Sequence, residues 1–252
     1  MQARNLVLPV RRIASFIFAL IAAHFIAQAS KWSAGLILPL FSDMAWADIL
    51  YQVIFYFVQV TLAILVLKIL AKGQLDRAGF QMHSKATSLR LTALFLGAWA
   101  AFVILFYGIF LAVSPAFRLY VTQTFPAERL VRDLVGGGLL AGIGEEPLFR
   151  ALVVHILMNS WGTDASVMEQ KTKWGISVLT GVIFMSAHIG YTFVPAFSIV
   201  FIDPLNLAST LLLGTLWAMM YLKTKSLLGP ILAHTGANII QYTIGHLAAA
   251  LF

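Results

Sequence analysis

The sequence predicts an all-α fold, a polytopic bundle of about seven transmembrane helices forming a single membrane domain. The 252 residues are 60% hydrophobic and only 11% charged, whereas soluble domains are about 45–50% apolar and about 25% charged. Runs of about 20 apolar residues recur along the chain, and each is long enough to cross a bilayer as a helix. The chain has no cysteine, which excludes disulfides, thiolate nucleophiles and cysteine-ligated metals.

Seven runs have the length of a transmembrane helix, and the pattern allows six to eight. The spans are predicted near Ile13–Ala29, Asp48–Leu67, Leu91–Val113, Leu134–Leu157, Trp174 to Phe201 at the furthest, Leu205–Leu222 and Leu228–Ala249. An eighth span would use Gly35–Phe41. Since no linker or low-complexity segment separates the runs, residues 1–252 are predicted to form one integral membrane domain.

Positive charges predict the orientation of these spans. On the side of the N-terminus lie twelve cations, Arg4, Arg11, Arg12, Lys68, Lys72, Arg77, Lys85, Arg90, Lys171, Lys173, Lys223 and Lys225, and on the other side lie four, Lys31, Arg118, Arg129 and Arg132. Cytoplasmic loops carry the excess of Lys and Arg, so the N-terminus is predicted to be cytoplasmic and, with seven spans, the C-terminus outside. The net charge of +7 is therefore read as an orientation signal. No basic cluster is interleaved with aromatic residues, so the bilayer, and no nucleic acid, is the expected partner.

Two adjacent glutamates and an arginine stand inside the fourth span, in Gly142-Ile-Gly-Glu-Glu-Pro-Leu-Phe-Arg150. Each ionisable residue at mid-bilayer costs about 2.5–3.5 kcal/mol on insertion scales. Glu146 and Arg150 are four residues apart, which predicts an ion pair along one helix face. Glu145 is about 100° away around the helix and is free to face another partner. A structural ion pair needs one carboxylate, so the second one favours a functional site.

Polar residues of two later spans could complete such a site. His188 lies in the predicted fifth span, and His234 and Asn238 lie in the seventh, four residues apart and therefore on one face. Glycines beside these groups would let the helices approach closely. Each histidine alone is readily explained as a helix-bridging hydrogen bond. The four remaining histidines, His24, His83, His155 and His246, are interpreted in that structural way.

These three motifs resemble those of a known family. Glu145-Glu146-x-x-x-Arg150, Phe184-x-x-x-His188 and His234-x-x-x-Asn238, in this order, resemble the CAAX protease and bacteriocin-processing (CPBP, or Abi) family of intramembrane proteases, which is related to the type II CAAX prenyl endopeptidases. The resemblance covers about residues 138–240, within a predicted catalytic core of about residues 134–249. Ala151 departs from the glycine that many bacterial members carry after the arginine. The resemblance implies a protein of the bacterial cytoplasmic membrane, with a cavity open to the cytoplasm.

The residue types suit hydrolysis of an amide, which needs an activated water and a stabilised oxyanion. We expect Glu145 to act as the base and His188 to hold the same water and transfer a proton. His234 and Asn238 would donate hydrogen bonds to the oxyanion, and Glu146 with Arg150 would hold the motif helix in register. The resemblance implies a similar division of roles. The expected substrate is a membrane-associated peptide or protein.

Other interpretations remain open at this point. Glu145, His188 and His234 could instead bind a divalent metal such as zinc, with Glu146 as the base, although the leading interpretation requires no cofactor. The protein could be a family member that confers immunity or acts as a scaffold without cleaving peptides. A proton-coupled transporter would use the same carboxylates and histidines as a relay, but the chain lacks the internal repeats common in transporters.

Overall fold

The computed structural model describes residues 2–41, 46–81, 84–162, 168–192 and 198–252, with only the backbone described for residues 2–8, Arg77 and Thr192. The described helices are α1 (Gln2–Ile37), α2 (Ala47–Leu70), α3 (Lys85–Val113), α4 (Pro115–Thr124), α5 (residues 130–161), α6 (Gln170–Ser186), α7 (Pro204–Thr224) and α8 (Leu228–Ala249). Short 3₁₀ turns occupy Leu38–Phe41, Leu75–Ala78 and Ala127–Arg129. Two short strands, β1 (Gly190–Thr192) and β2 (Ser198–Phe201), pair antiparallel. The all-α prediction is confirmed.

Helix α5 carries the Glu-Glu-x-x-x-Arg motif and is irregular along its length. It is α-helical at Leu130–Arg132, Ala141–Glu146 and Val154–Trp161, and π-helical at Asp133–Leu140 and Pro147–Val153. Pro147 has no N–H to donate to the carbonyl one turn earlier, and the second π-helical segment begins at this residue. π-Helix is rare in proteins, and where it occurs it is often at a functional site. Here a π-helical segment follows the two glutamates directly.

The other helices surround α5. Helices α1, α2, α7 and α8 all pack against it, while α6 packs along α7 and α3 along α8. As a result, the middle of α5 lies in the buried core: Leu148, Ala151, Leu152 and Val153 are completely buried, and so are Glu146 and Arg150. This part of the motif helix is therefore enclosed by protein, which is the usual setting for ionisable groups at membrane depth.

Four described helices are long and apolar enough to cross a membrane, namely Pro9–Phe41, Ala47–Leu70, Lys85–Val113 and Pro204–Thr224. The count of seven spans remains a prediction, because α5 is broken into short segments and α6 has only 17 residues. The suggestion of an eighth span at Gly35–Phe41 is not supported, since these residues end α1 and form the 3₁₀ turn that follows it.

The predicted fifth span was wrong at its C-terminal end. Helix α6 stops at Ser186, well before Phe201, and the chain then turns into the hairpin of β1 and β2. Residues 198–201 are β-branched, aromatic or small, and they are exposed on both faces of the strand. An apolar run of this kind cannot be separated from a helix by composition alone, which explains the error.

The hairpin is attached to the bundle through His24 of α1. The ring nitrogens of His24 lie 2.6 Å from the Tyr191 hydroxyl and 2.9 Å from Ser186 Oγ. Ser186 gives its hydroxyl proton to the Ile183 carbonyl, so Nε2 of His24 donates to Ser186 and Nδ1 accepts from Tyr191. His24 therefore bridges α1, α6 and β1, in agreement with the structural interpretation of this residue.

Candidate active site

A polar cavity of about 270 Å³ lies between α2, α5, α6, α7 and α8. Glu145, His188, His234 and Asn238 all line it, so the structure brings together the four residues that the sequence placed in the reaction itself. The remaining lining residues are Tyr56, Gly137, Ala141, Phe184, Asn206, Ser209, Thr210, Leu213, Trp217, Gln241 and Tyr242. Their catalytic roles remain predictions, but convergence of three distant motifs on one cavity is what those roles require.

Glu145 is partly buried and has one protein donor on the cavity side. The Tyr56 hydroxyl donates to Glu145 Oε1 at 3.3 Å. Tyr56 reaches this position because its ring packs on Gly144, where any side chain would collide with the ring. The second carboxylate oxygen, Oε2, is buried and accepts no hydrogen bond from the described part of the chain. A buried carboxylate oxygen needs a donor, and a water molecule held in the cavity would provide one.

Glu146 points away from Glu145, toward Arg150. Both side chains are fully buried, and Arg150 Nε lies 2.9 Å from Glu146 Oε2. Arg150 Nη2 donates to Oε1 of the same carboxylate at 3.4 Å. The guanidinium also lies over the Phe184 and Trp217 rings, at 5.1 and 5.9 Å from their centroids. The predicted ion pair is present, and the aromatic rings add cation–π stabilisation to a buried charge.

Glu146 has a second partner that the sequence did not predict. Nδ1 of His234 lies 2.9 Å from Glu146 Oε1. A carboxylate only accepts hydrogen bonds, so Nδ1 carries the proton and Nε2 is the nitrogen left for chemistry. The Trp217 ring stacks on His234 with centroids 4.1 Å apart and planes 21° apart. Glu146 and Trp217 together fix the tautomer and the plane of the His234 ring.

The close approach of α5 and α8 makes this contact possible. A side chain at Gly142 would meet backbone atoms of α8, 2.8 Å from the Thr235 nitrogen and 3.0 Å from the Ile231 carbonyl oxygen. Backbone cannot move aside as a flexible side chain can, so only glycine allows this spacing. Glu146 and His234 are within hydrogen-bond distance because the two helices meet at Gly142.

His188 lies in the turn that follows α6, not within a span as predicted. Its Nδ1 lies 2.8 Å from the carbonyl oxygen of Phe184, and a carbonyl only accepts, so Nδ1 donates. Nε2 of the neutral ring is then an acceptor. That arrangement suits the predicted role of His188, which is to hold the same water molecule as Glu145 and transfer a proton.

One amide N–H of Asn238 is hydrogen-bonded to the backbone of α5. Its Nδ2 donates to the carbonyl of Gly137 at 2.7 Å. A primary amide has two N–H groups, so a second donor is available to a ligand in the cavity. The hydrogen bond fixes the amide plane, and Asn238 therefore presents this donor in a defined direction.

One comparison with known protein families matches the segment that carries most of the site. Residues 127–240 match the family model described as Rce1-like, type II CAAX prenyl endopeptidase. This segment of the chain is Rce1-like. The match contains all three motifs and confirms the resemblance to CAAX proteases, a family whose described activity is endopeptidase. No curated protein and no solved structure is significantly similar to the chain.

Several residues that line the cavity or contact its helices were missed from sequence. Tyr56 and Gln59 lie on α2, outside the Rce1-like segment, and Gln59 donates to the carbonyl of Gly144 at 3.1 Å. Gln59 is buried, and a polar side chain in so apolar a span was a usable signal. Tyr56 carried no such signal in the sequence, because tyrosine is common in transmembrane helices. Asn206 and Ser209 lie in the first turns of α7 and were read as part of a span.

The other histidines that the structure describes are not among the lining residues of the cavity. His246 donates through Nε2 to the buried Asp133 at 3.2 Å, and Arg132 also binds Asp133. This cluster links α8 to the first part of α5. His155 is half-buried and is not among the residues that line the cavity, and His83 lies outside the described residues.

The metal alternative has no preformed site in the described residues. Among them, no three side chains of His, Asp or Glu are placed to share one ion. Glu145, His188 and His234 line the same cavity but do not form such a group. The metal alternative therefore stays a prediction.

Proposed function

We propose that the protein is an intramembrane endopeptidase that cleaves a peptide bond of a membrane-associated peptide or protein by means of an activated water. The observation that supports this most is the shared cavity of Glu145, His188, His234 and Asn238, within a segment that matches a protease family. The proposal needs no cofactor, and it places the protein in a bacterial cytoplasmic membrane.

Glu145 takes the proton from water in this mechanism. Its Oε2 has no donor among the described residues and is free to accept from the nucleophilic water. Nε2 of His188 accepts the water's other hydrogen, which orients a lone pair of the water oxygen toward the scissile carbonyl carbon. As the oxygen–carbon bond forms, the proton passes to Glu145. It then moves to the leaving nitrogen when the carbon–nitrogen bond breaks.

Asn238 and His234 stabilise the oxyanion. The second N–H of Asn238 donates directly. Nδ1 of His234 is occupied by Glu146, so only Nε2 can donate, and it does so when the ring carries both protons. Glu146 at 2.9 Å stabilises the positive charge on such a ring. Glu146 and Arg150 therefore act through His234 as positioning residues. The role predicted from sequence was more remote, namely to hold the motif helix in register.

The test is Glu145→Gln, which preserves size and one carbonyl oxygen but removes the base. We expect single-turnover cleavage of a native substrate in liposomes to fall by about 10²–10⁴-fold, the usual loss for a general base. Thermal stability and substrate binding should stay near wild type. Glu128→Gln is the matched control, since Glu128 is exposed in the 3₁₀ turn before α5.

The outcome also separates the competing functions. Full cleavage by Glu145→Gln would refute the mechanism. If the wild-type protein cleaves nothing, but Glu145→Gln still abolishes an immunity phenotype or proton-coupled uptake, the scaffold or the transporter function replaces the protease.

A further inference from the structure

The two ends of the helix bundle differ in charge. At one end, which we call the N-terminal end, Arg11 donates to the Asn159 carbonyl at the end of α5. The same end collects the C-terminus of α2, the start of α3, the start of α6 and the C-terminus of α7. These termini carry Lys68, Lys72, Lys85, Arg90, Lys171, Lys173, Lys223 and Lys225. The opposite end, which we call the hairpin end, carries the β-hairpin with Lys31, Arg118, Arg129 and Arg132.

Three of the lining residues are almost completely buried. They are Phe184, Trp217 and His234, which are 1%, 1% and 3% exposed. Beneath them lies Arg150, which is completely buried, within the main apolar core. Among the described residues, none that lines the cavity belongs to a loop of the N-terminal end.

The more exposed lining residues lie toward the hairpin end. His188 follows the last turn of α6, and Asn206 and Ser209 lie in the first two turns of α7, directly after β2. All three are partly exposed, in contrast to the buried floor. The exposed Gln241 continues the polar lining along α8. A substrate can therefore reach Glu145 from the hairpin end.

From this geometry and the charge distribution we infer that the cavity opens to the extracytoplasmic side and accepts peptide bonds presented at that face of the membrane. Lys and Arg are retained on the cytoplasmic side, and the N-terminal end carries most of them. The inference rests on the proposed function. It conflicts with the cytoplasmic opening that the family resemblance implies, because the N-terminus and the cavity mouth lie at opposite ends of the bundle. The substrate class becomes a membrane-anchored peptide cut near the outer end of its anchor.

The absence of cysteine makes the inference directly testable. Single cysteines can be introduced without removing any native thiol. Ser198→Cys reports the hairpin, Asn206→Cys the cavity mouth, and Lys171→Cys the opposite end. Ser198 and Lys171 are exposed, and Asn206 is half-buried. Each variant is treated with a membrane-impermeant maleimide in intact cells and again after permeabilisation.

We expect Ser198→Cys and, more slowly, Asn206→Cys to be labelled in intact cells, and Lys171→Cys only after permeabilisation. Labelling of Lys171→Cys in intact cells, alone or with Ser198→Cys, overturns the inference. Labelling of Ser198→Cys but not of Asn206→Cys also overturns the inference, because the mouth of the cavity would then lie elsewhere. If Ser198→Cys is unreactive even after permeabilisation, an alkaline phosphatase fused after Phe252 decides, since it is active only outside.

Labelling reports orientation and access without any cleavage. An inactive wild type therefore refutes the proposed protease and leaves the orientation result standing. Reversed labelling refutes the inferred side and leaves the Glu145→Gln comparison valid.

Discussion

Removal of the Arg150 charge is expected to destabilise the protein, because it leaves Glu146 in the core without its main partner. Arg150 and Glu146 are both 0% exposed and their charged atoms are 2.9 Å apart. Breaking a buried pair by removing one partner typically costs about 3–5 kcal/mol. His234 still donates to Glu146, so we expect the lower value, about 3 kcal/mol, for Arg150→Met. Methionine keeps an apolar stem against Phe184 and Trp217.

A loss of this size is measurable by thermal unfolding in detergent. For a chain of this length, each kcal/mol lowers Tm by about 2–4 °C, so the expected decrease is about 6–12 °C. Arg90→Ala is the control, because Arg90 is exposed at the start of α3 and its removal should change the free energy of unfolding by less than about 0.5 kcal/mol.

A double-mutant cycle shows whether the loss comes from the unpaired charge. Glu146→Gln combined with Arg150→Met leaves neither charge in the core, so the double variant should be more stable than Arg150→Met alone. The coupling energy should be about 1–3 kcal/mol, as for residues in contact. Strictly additive effects, or a wild-type Tm for Arg150→Met, would refute the reasoning.

Three further predictions concern the cavity. Asn238→Ala should reduce single-turnover cleavage by about 10²–10³-fold, the usual effect of an oxyanion donor, and unchanged cleavage would exclude that role. Tyr56→Phe removes the donor to Glu145 and should slow cleavage by about 10–100-fold, the equivalent of one hydrogen bond to a charged group, whereas Tyr51→Phe on the same helix, outside the cavity, should not. A chelator should leave the wild-type rate unchanged; a loss that zinc restores would favour the metal mechanism.

Sequence determined the features of this protein that depend on short chain distances. Composition and the recurring apolar runs predicted the all-α membrane fold. The Glu146–Arg150 pair followed from a spacing of four residues, which any helix turns into a contact on one face. His234 and Asn238 share a face for the same reason. The three motifs predicted the resemblance to CAAX proteases that the match over residues 127–240 confirms, because their order along the chain is itself a sequence property.

Other features were decided only by the packing of helices that are distant in the chain. Glu146 meets His234 because α5 and α8 approach at Gly142, and Tyr56 meets Glu145 because its ring fits against Gly144. The end of α6 at Ser186 and the hairpin after it could not be separated from an apolar helix by composition. Contacts between separate helices have no spacing rule along the chain, so only the tertiary structure could supply them.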